Sequence, residues 1–75
     1  MPHVIIKLVP GMPESNKQAL TSEIVQSVMR ASRLGADSVS VSFEEVPMSR
    51  WADEVYRPDI LGGKGKLYKK PGYRM

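Results

Sequence analysis

A proline stands at position 2, behind Met1 and ahead of the apolar run His3-Val4-Ile5-Ile6-Lys7-Leu8-Val9. Two readings of it differ in their chemistry. As a peptide-bonded residue it stiffens the entry to a strand, where proline is tolerated. As the first residue of a chain that has lost Met1, it is a free secondary amine. An α-amino group has an ordinary pKa near 8, so about a tenth of it is neutral at pH 7. Apolar surroundings and nearby cations disfavour the ammonium form, and a fall of about two would leave the nitrogen mostly neutral and able to act as a general base. With Met1 retained, Pro2 is an amide with no basic nitrogen.

The other residue types that do chemistry are sparse. His3 is the only histidine and there is no cysteine, so no Ser–His–Asp or Cys–His set can form within one chain. The same scarcity argues against a structural metal site and against disulfides. Gly62-Gly63-Lys64-Gly65 resembles a phosphate cradle but has no strand before it and no helix after it, so it reads as a flexible turn. Asp53 and Glu54, which follow Trp51, read as a solvated helical turn, although a carboxylate there could activate water. Arg50, Arg57 and the tail lysines read as surface charges, any of which could hold a substrate carboxylate. His3 reads as an interface or strand-start polar group rather than a proton carrier. Met12, Met29 and Met48 read as packing.

Formal net charge is +3 and unevenly placed: no acid follows Asp59, while Lys64, Lys66, Lys69, Lys70 and Arg74 do. Such a tail, with Tyr68 and Tyr73, has the ingredients for RNA contact through phosphates and stacking. A solvated or subunit-facing tail accounts for the same residues, and nucleic acid is not the expected partner.

These residues must be positioned by a small number of elements. The chain has 75 residues and reads as one domain, with a modest core that makes oligomerisation the remaining route to stability. Residues 3–9 are dense in β-branched side chains and predict a strand with Val4, Ile6 and Leu8 on one face; Pro10-Gly11 breaks it. Residues 15–34 predict a helix, opened by a capping-box pattern at Ser15–Gln18 and carrying an apolar stripe of Leu20, Ile24, Val28, Ala31 and Leu34. Gly35 is placed to end it. Residues 38–46 alternate, with Val39, Val41 and Phe43 on one face, and predict a second strand. Strand, helix, strand is a βαβ unit with its strands parallel, an α/β architecture. Ser49–Tyr56 predicts a short helical turn, and residues 60–75 a basic, glycine-rich tail in which Leu67-Tyr68 and Gly72-Tyr73 could form short strands or a hairpin. Parallel sheets have both faces covered, and no second long helix is evident. Ile5, Val9 and Met12 are therefore expected to meet a second copy of the chain, giving a four-stranded sheet with two helices on one face.

The Met1-Pro2 start, the strand–helix–strand frame and the short tail resemble the 4-oxalocrotonate tautomerase family. Met1-Pro2-His3-Val4-Ile5-Ile6-Lys7, Val39-Ser40-Val41-Ser42, Ser49-Arg50-Trp51 and Lys69-Lys70-Pro71-Gly72-Tyr73 are most similar to its bacterial PptA branch, and the likeness spans nearly the whole chain. The resemblance implies the βαβ tautomerase fold, loss of Met1, and Pro2 as the acid and base that moves a proton between oxygen and carbon of an enol, without a cofactor. It also implies a pocket in which Trp51 excludes water. Well-known members carry an arginine where Met12 stands and another where Ser40 stands, so dicarboxylate substrates are not implied and another cation must hold a carboxylate.

The expectation is a cytoplasmic keto–enol tautomerase acting on a small 2-keto acid of phenylpyruvate type. Pro2 would be catalytic, Trp51, Ser40 and Met12 would line the pocket, and neither metal nor cofactor would be involved. A homodimer is favoured over a hexamer. A non-catalytic basic interaction module, or a hydratase or dehalogenase on the same fold, are the alternatives. No apolar run approaches the roughly 18 residues that a membrane span requires.

Overall fold

The computed structural model describes residues 1–75. Two strands, β1 (His3–Leu8) and β2 (Ser40–Glu45), lie side by side and parallel, connected by the long helix α1 (Glu14–Ser32) and a 3-10 turn at Ala36–Ser38. This is the expected βαβ arrangement. Register places His3 opposite Ser40, Val4 opposite Val41, Ile6 opposite Phe43 and Leu8 opposite Glu45. Paired side chains share a face, so Val4, Ile6, Val41 and Phe43 form one apolar surface. Helix α1 lies on it: Glu14, Lys17, Gln18 and Thr21 border a hollow with Phe43, and the Lys17 ammonium donates to Glu45 at 2.7 Å. That hydrogen bond raises the Lys17 pKa.

The ends of the elements depart from the expected residues for local reasons. Residues 36–38 form the turn instead of extending β2, because the Ser38 and Val39 amides bond to the Gly35 and Ala36 carbonyls. Helix α1 starts at Glu14 behind an extended Pro13, not at a capping box. The Pro13 carbonyl accepts from the Asn16 and Lys17 amides, while the Ser15 hydroxyl reaches only Asn16, at 3.5 Å. At the other end the left-handed cap is Arg33 (φ 61°), whose N–H donates to the Met29 carbonyl, and Gly35 is extended at φ −77°. Gly11, at φ 134°, occupies a conformation that favours glycine, directly after Pro10.

The expected turn at Ser49–Tyr56 is part of something longer. Helix α2 (Met48–Trp51) runs directly into a π-helical segment, Ala52–Leu61, that contains Pro58. Proline has no N–H and crowds the carbonyl four residues back; a wider helix bonded five residues apart relieves this. The Gly62 amide continues that spacing, donating to the Arg57 carbonyl at 2.9 Å. A Cβ on Gly63 would collide with the Asp59 carbonyl, so the chain leaves the helix through a glycine. The Gly62-Gly63 pair therefore belongs to a helix exit.

This second helical segment reaches the other sheet face. The Lys7 ammonium donates to Asp59 at 2.5 Å, and Ile5 and Lys7 flank a shallow depression with Val55 and Asp59. The chain thus supplies a helical cover that its sequence did not suggest. The cover is partial, and Ile5 stays 51% exposed. Only Val46, Val55 and Tyr56 are buried. Along α1, Leu20, Ile24 and Val28 are half-buried. The tail forms no strand or hairpin; Tyr68 is 89% exposed, and Tyr73 packs on Tyr56 instead. No helix is long and apolar enough to cross a membrane.

Candidate active site

Pro2 lies immediately before β1 and is half-buried. Its carbonyl accepts the Ser40 amide at 3.1 Å, which extends the sheet ladder by one rung and fixes the proline backbone. Met1, by contrast, is 95% exposed. His3 and Ser40 open the two strands and face each other in register, which brings His3 Nδ1 and Ser40 Oγ to 2.6 Å. When Nδ1 carries no proton, the serine hydroxyl donates to it. Pro2, His3 and Ser40 thus form one cluster at the start of β1.

A second cluster forms at the opposite end of that strand. Trp51 Nε1 donates to the Tyr73 hydroxyl at 2.9 Å, and the Tyr73 ring lies 5.6 Å from that of Tyr56, tilted by 38°. Val9, Met48, Trp51, Tyr73, Arg74 and Met75 enclose an open cavity of about 400 Å³. Tyr73 is also a wall of a neighbouring cavity of about 460 Å³, bordered by Tyr56, Leu61, Leu67 and Pro71. Met12 is half-buried in the connection between β1 and α1.

The expected pocket residues therefore divide. Ser40 is beside Pro2, whereas Trp51 borders the cavity beyond Val9. Seven residue steps separate Pro2 from Val9, about 23 Å at 3.3 Å per residue, and one chain alone does not bring Trp51 to Pro2. Two of the candidate cations are engaged elsewhere. Arg50 pairs with Glu54 at 2.6 Å, and Arg57 pairs with Asp53 one turn away, which also accounts for both carboxylates. Arg74 enters no ion pair. Val9, Tyr73 and Arg74 were not foreseen as cavity residues. The signal was present in the Pro71-Gly72-Tyr73 end of the tail, where a turn and an aromatic residue interrupt an otherwise basic stretch.

No protein-family model matches the chain. Individual curated proteins do. It is 40% identical over 73 residues to a probable tautomerase of Xylella fastidiosa, covering 97% of this chain and 89% of that one. It is 36% identical to tautomerase PptA of Pectobacterium carotovorum over 97% of both chains, and 34% identical to tautomerase PptA of Cronobacter sakazakii over the full length of both. With a parallel βαβ frame and matches of this extent, the chain belongs to the tautomerase family and is an isomerase.

Proposed function

We propose that the chain interconverts the enol and keto forms of a small 2-keto acid of phenylpyruvate type in the cytoplasm, with the Pro2 amine as base and acid once Met1 is removed. The observation that carries this reading is the contrast at the N-terminus. The Pro2 backbone is held by the Ser40 amide at 3.1 Å, while Met1 projects into solvent at 95% exposure. Removing Met1 would leave a secondary amine at the end of a fixed strand, with no sheet bond lost. The neutral nitrogen takes the enol hydroxyl proton, the enolate electrons shift toward C3, and the resulting ammonium returns the proton to that carbon. One O–H bond breaks, one C–H bond forms, and no electrons leave the substrate.

The pocket requires a second copy. Each strand has one open edge because the sheet order is β1-β2. The second face of β2 carries Ser40, Ser42 and Glu44, whereas β1 bears apolar side chains on both faces, with Ile5, and Val9 just beyond the strand, still exposed. The edge of β1 is thus the one that gains from pairing. Antiparallel pairing of two β1 strands places each Pro2 near the partner's Val9, and so beside the partner's Trp51 cavity. Pro2→Ala is expected to lower the ketonisation rate about 10²- to 10⁴-fold, the range of a general acid–base group, in protein whose intact mass shows Met1 absent. Full activity of that variant, or of protein that retains Met1, would overturn the proposal.

A further inference from the structure

Arg74 is the only charged side chain among the residues enclosing the Trp51 cavity; its other walls are Val9, Met48, Trp51, Tyr73 and Met75. The remaining arginines beside that helical segment are committed to Glu54 and Asp53. Lys7 and Lys17 are likewise committed, to Asp59 and Glu45. An apolar hollow of about 400 Å³ with one arginine among its lining residues suits a ligand with an apolar body and one anionic end. The body would rest on Trp51, whose indole is already oriented by the Tyr73 hydroxyl at 2.9 Å. A guanidinium presents paired N–H donors matched to a carboxylate.

We propose that Arg74 is the carboxylate-binding residue of the tautomerase site, and that it serves the Pro2 of the other subunit. This rests on the function proposed above and assigns its substrate class: aryl or alkyl 2-keto acids with a single carboxylate. Neither Met12 nor Ser40 carries a charge with which to hold that group. The side chains of β1 impose a further constraint. Residues opposed across antiparallel strands share a face, so the numbers of a β1–β1 pair sum to an even value. The symmetric registers nearest the middle of the strand set Ile5 against Ile5 or Ile6 against Ile6, which puts Pro2 opposite the partner's Leu8 or the partner's Pro10. Both bring the amine to the mouth of the cavity that Arg74 borders, while Arg74 of the same chain stays at the far end of β1.

Binding tests the assignment without catalysis. Trp51 is the sole tryptophan, so titration of the full-length protein with 3-phenylpropanoate, an inert aryl carboxylate, is read by its fluorescence. Arg74→Ala should weaken binding about tenfold, as loss of a charged hydrogen bond does. Arg74→Lys should retain part of it, and 3-phenylpropanamide should bind both proteins alike. Equal affinity of the wild type and Arg74→Ala for the carboxylate would overturn the proposal even if Pro2→Ala proves inactive. Catalysis tests the sharing. Neither Pro2→Ala nor Arg74→Ala homodimers should turn over dilute enol efficiently. Coexpressed in equal amounts, they should regain about a quarter of wild-type kcat/KM, since half of randomly formed dimers are mixed and each mixed dimer has one intact site of two. No recovery on mixing would place Arg74 outside the partner's site.

Discussion

Replacing Tyr73 by phenylalanine removes one oxygen and keeps the ring. In the folded chain that oxygen accepts the Trp51 indole N–H at 2.9 Å, while the ring stays against Tyr56 at 5.6 Å. Residues 62–75 form no helix or strand, so these contacts are the identifiable anchors of the end of the tail. Trp51 is only half-buried, and water can replace part of the lost bond. The net cost falls in the ordinary range of about 0.5–1.5 kcal/mol, a shift of about twofold to tenfold in the ratio of docked to undocked tail. Tyr73→Ala also removes the aromatic pair, worth about 0.5–1.5 kcal/mol beyond its buried area, and should undock the tail further. The emission maximum of Trp51 and the rate of trypsin cleavage after Lys69 report the change directly. Cleavage should quicken and emission should move to the red, more for alanine than for phenylalanine. The reasoning fails if both variants leave the emission and the cleavage rate as in the wild type, since Tyr73 would then anchor nothing.

The remaining predictions concern the second helical segment. Gly63→Ala forces a methyl group against the Asp59 carbonyl, and should cost about 1–3 kcal/mol. By calorimetry the melting temperature should fall by about 4–8 °C per kcal/mol, whereas Gly65→Ala, with nothing within 4 Å, should melt as the wild type does. The Lys7 pKa is raised above the ordinary 10.5, chiefly by its hydrogen bond to Asp59, with burial opposing. A raised lysine value stabilises the fold fully below the unfolded value and loses that effect as pH climbs through the folded one. The urea midpoint of the wild type should therefore exceed that of Lys7→Met below the ordinary lysine value of 10.5, and the gap should narrow as pH climbs through the raised folded value.

The frame was legible because its periods are clean. Val39, Val41 and Phe43 alternate, and Leu20, Ile24 and Val28 recur at a helical spacing, so both strands and α1 were placed within a few residues. The ends were less legible because several residues compete for a cap. Ser15 and Gly35 carry the expected chemistry, but Pro13 and Arg33 already satisfied the terminal backbone groups. Pro58 hid the extent of the second helical segment: a proline reads as a helix breaker, and accommodating it by π-helical widening is a property of the whole turn. The His3–Ser40 contact required the register, which neither strand's pattern states. Trp51 was implied by the family resemblance, but its distance from Pro2 was not visible until β1 was laid out between them.

Val46, Val55 and Tyr56 are the only residues that one folded chain buries. So small an interior gives a solitary chain little margin over its own disorder. If assembly makes up the difference, then dilution acts on this enzyme as a mild denaturant. The number of working sites would fall faster than the number of chains, and the cell's rate of synthesis would set how active each copy is.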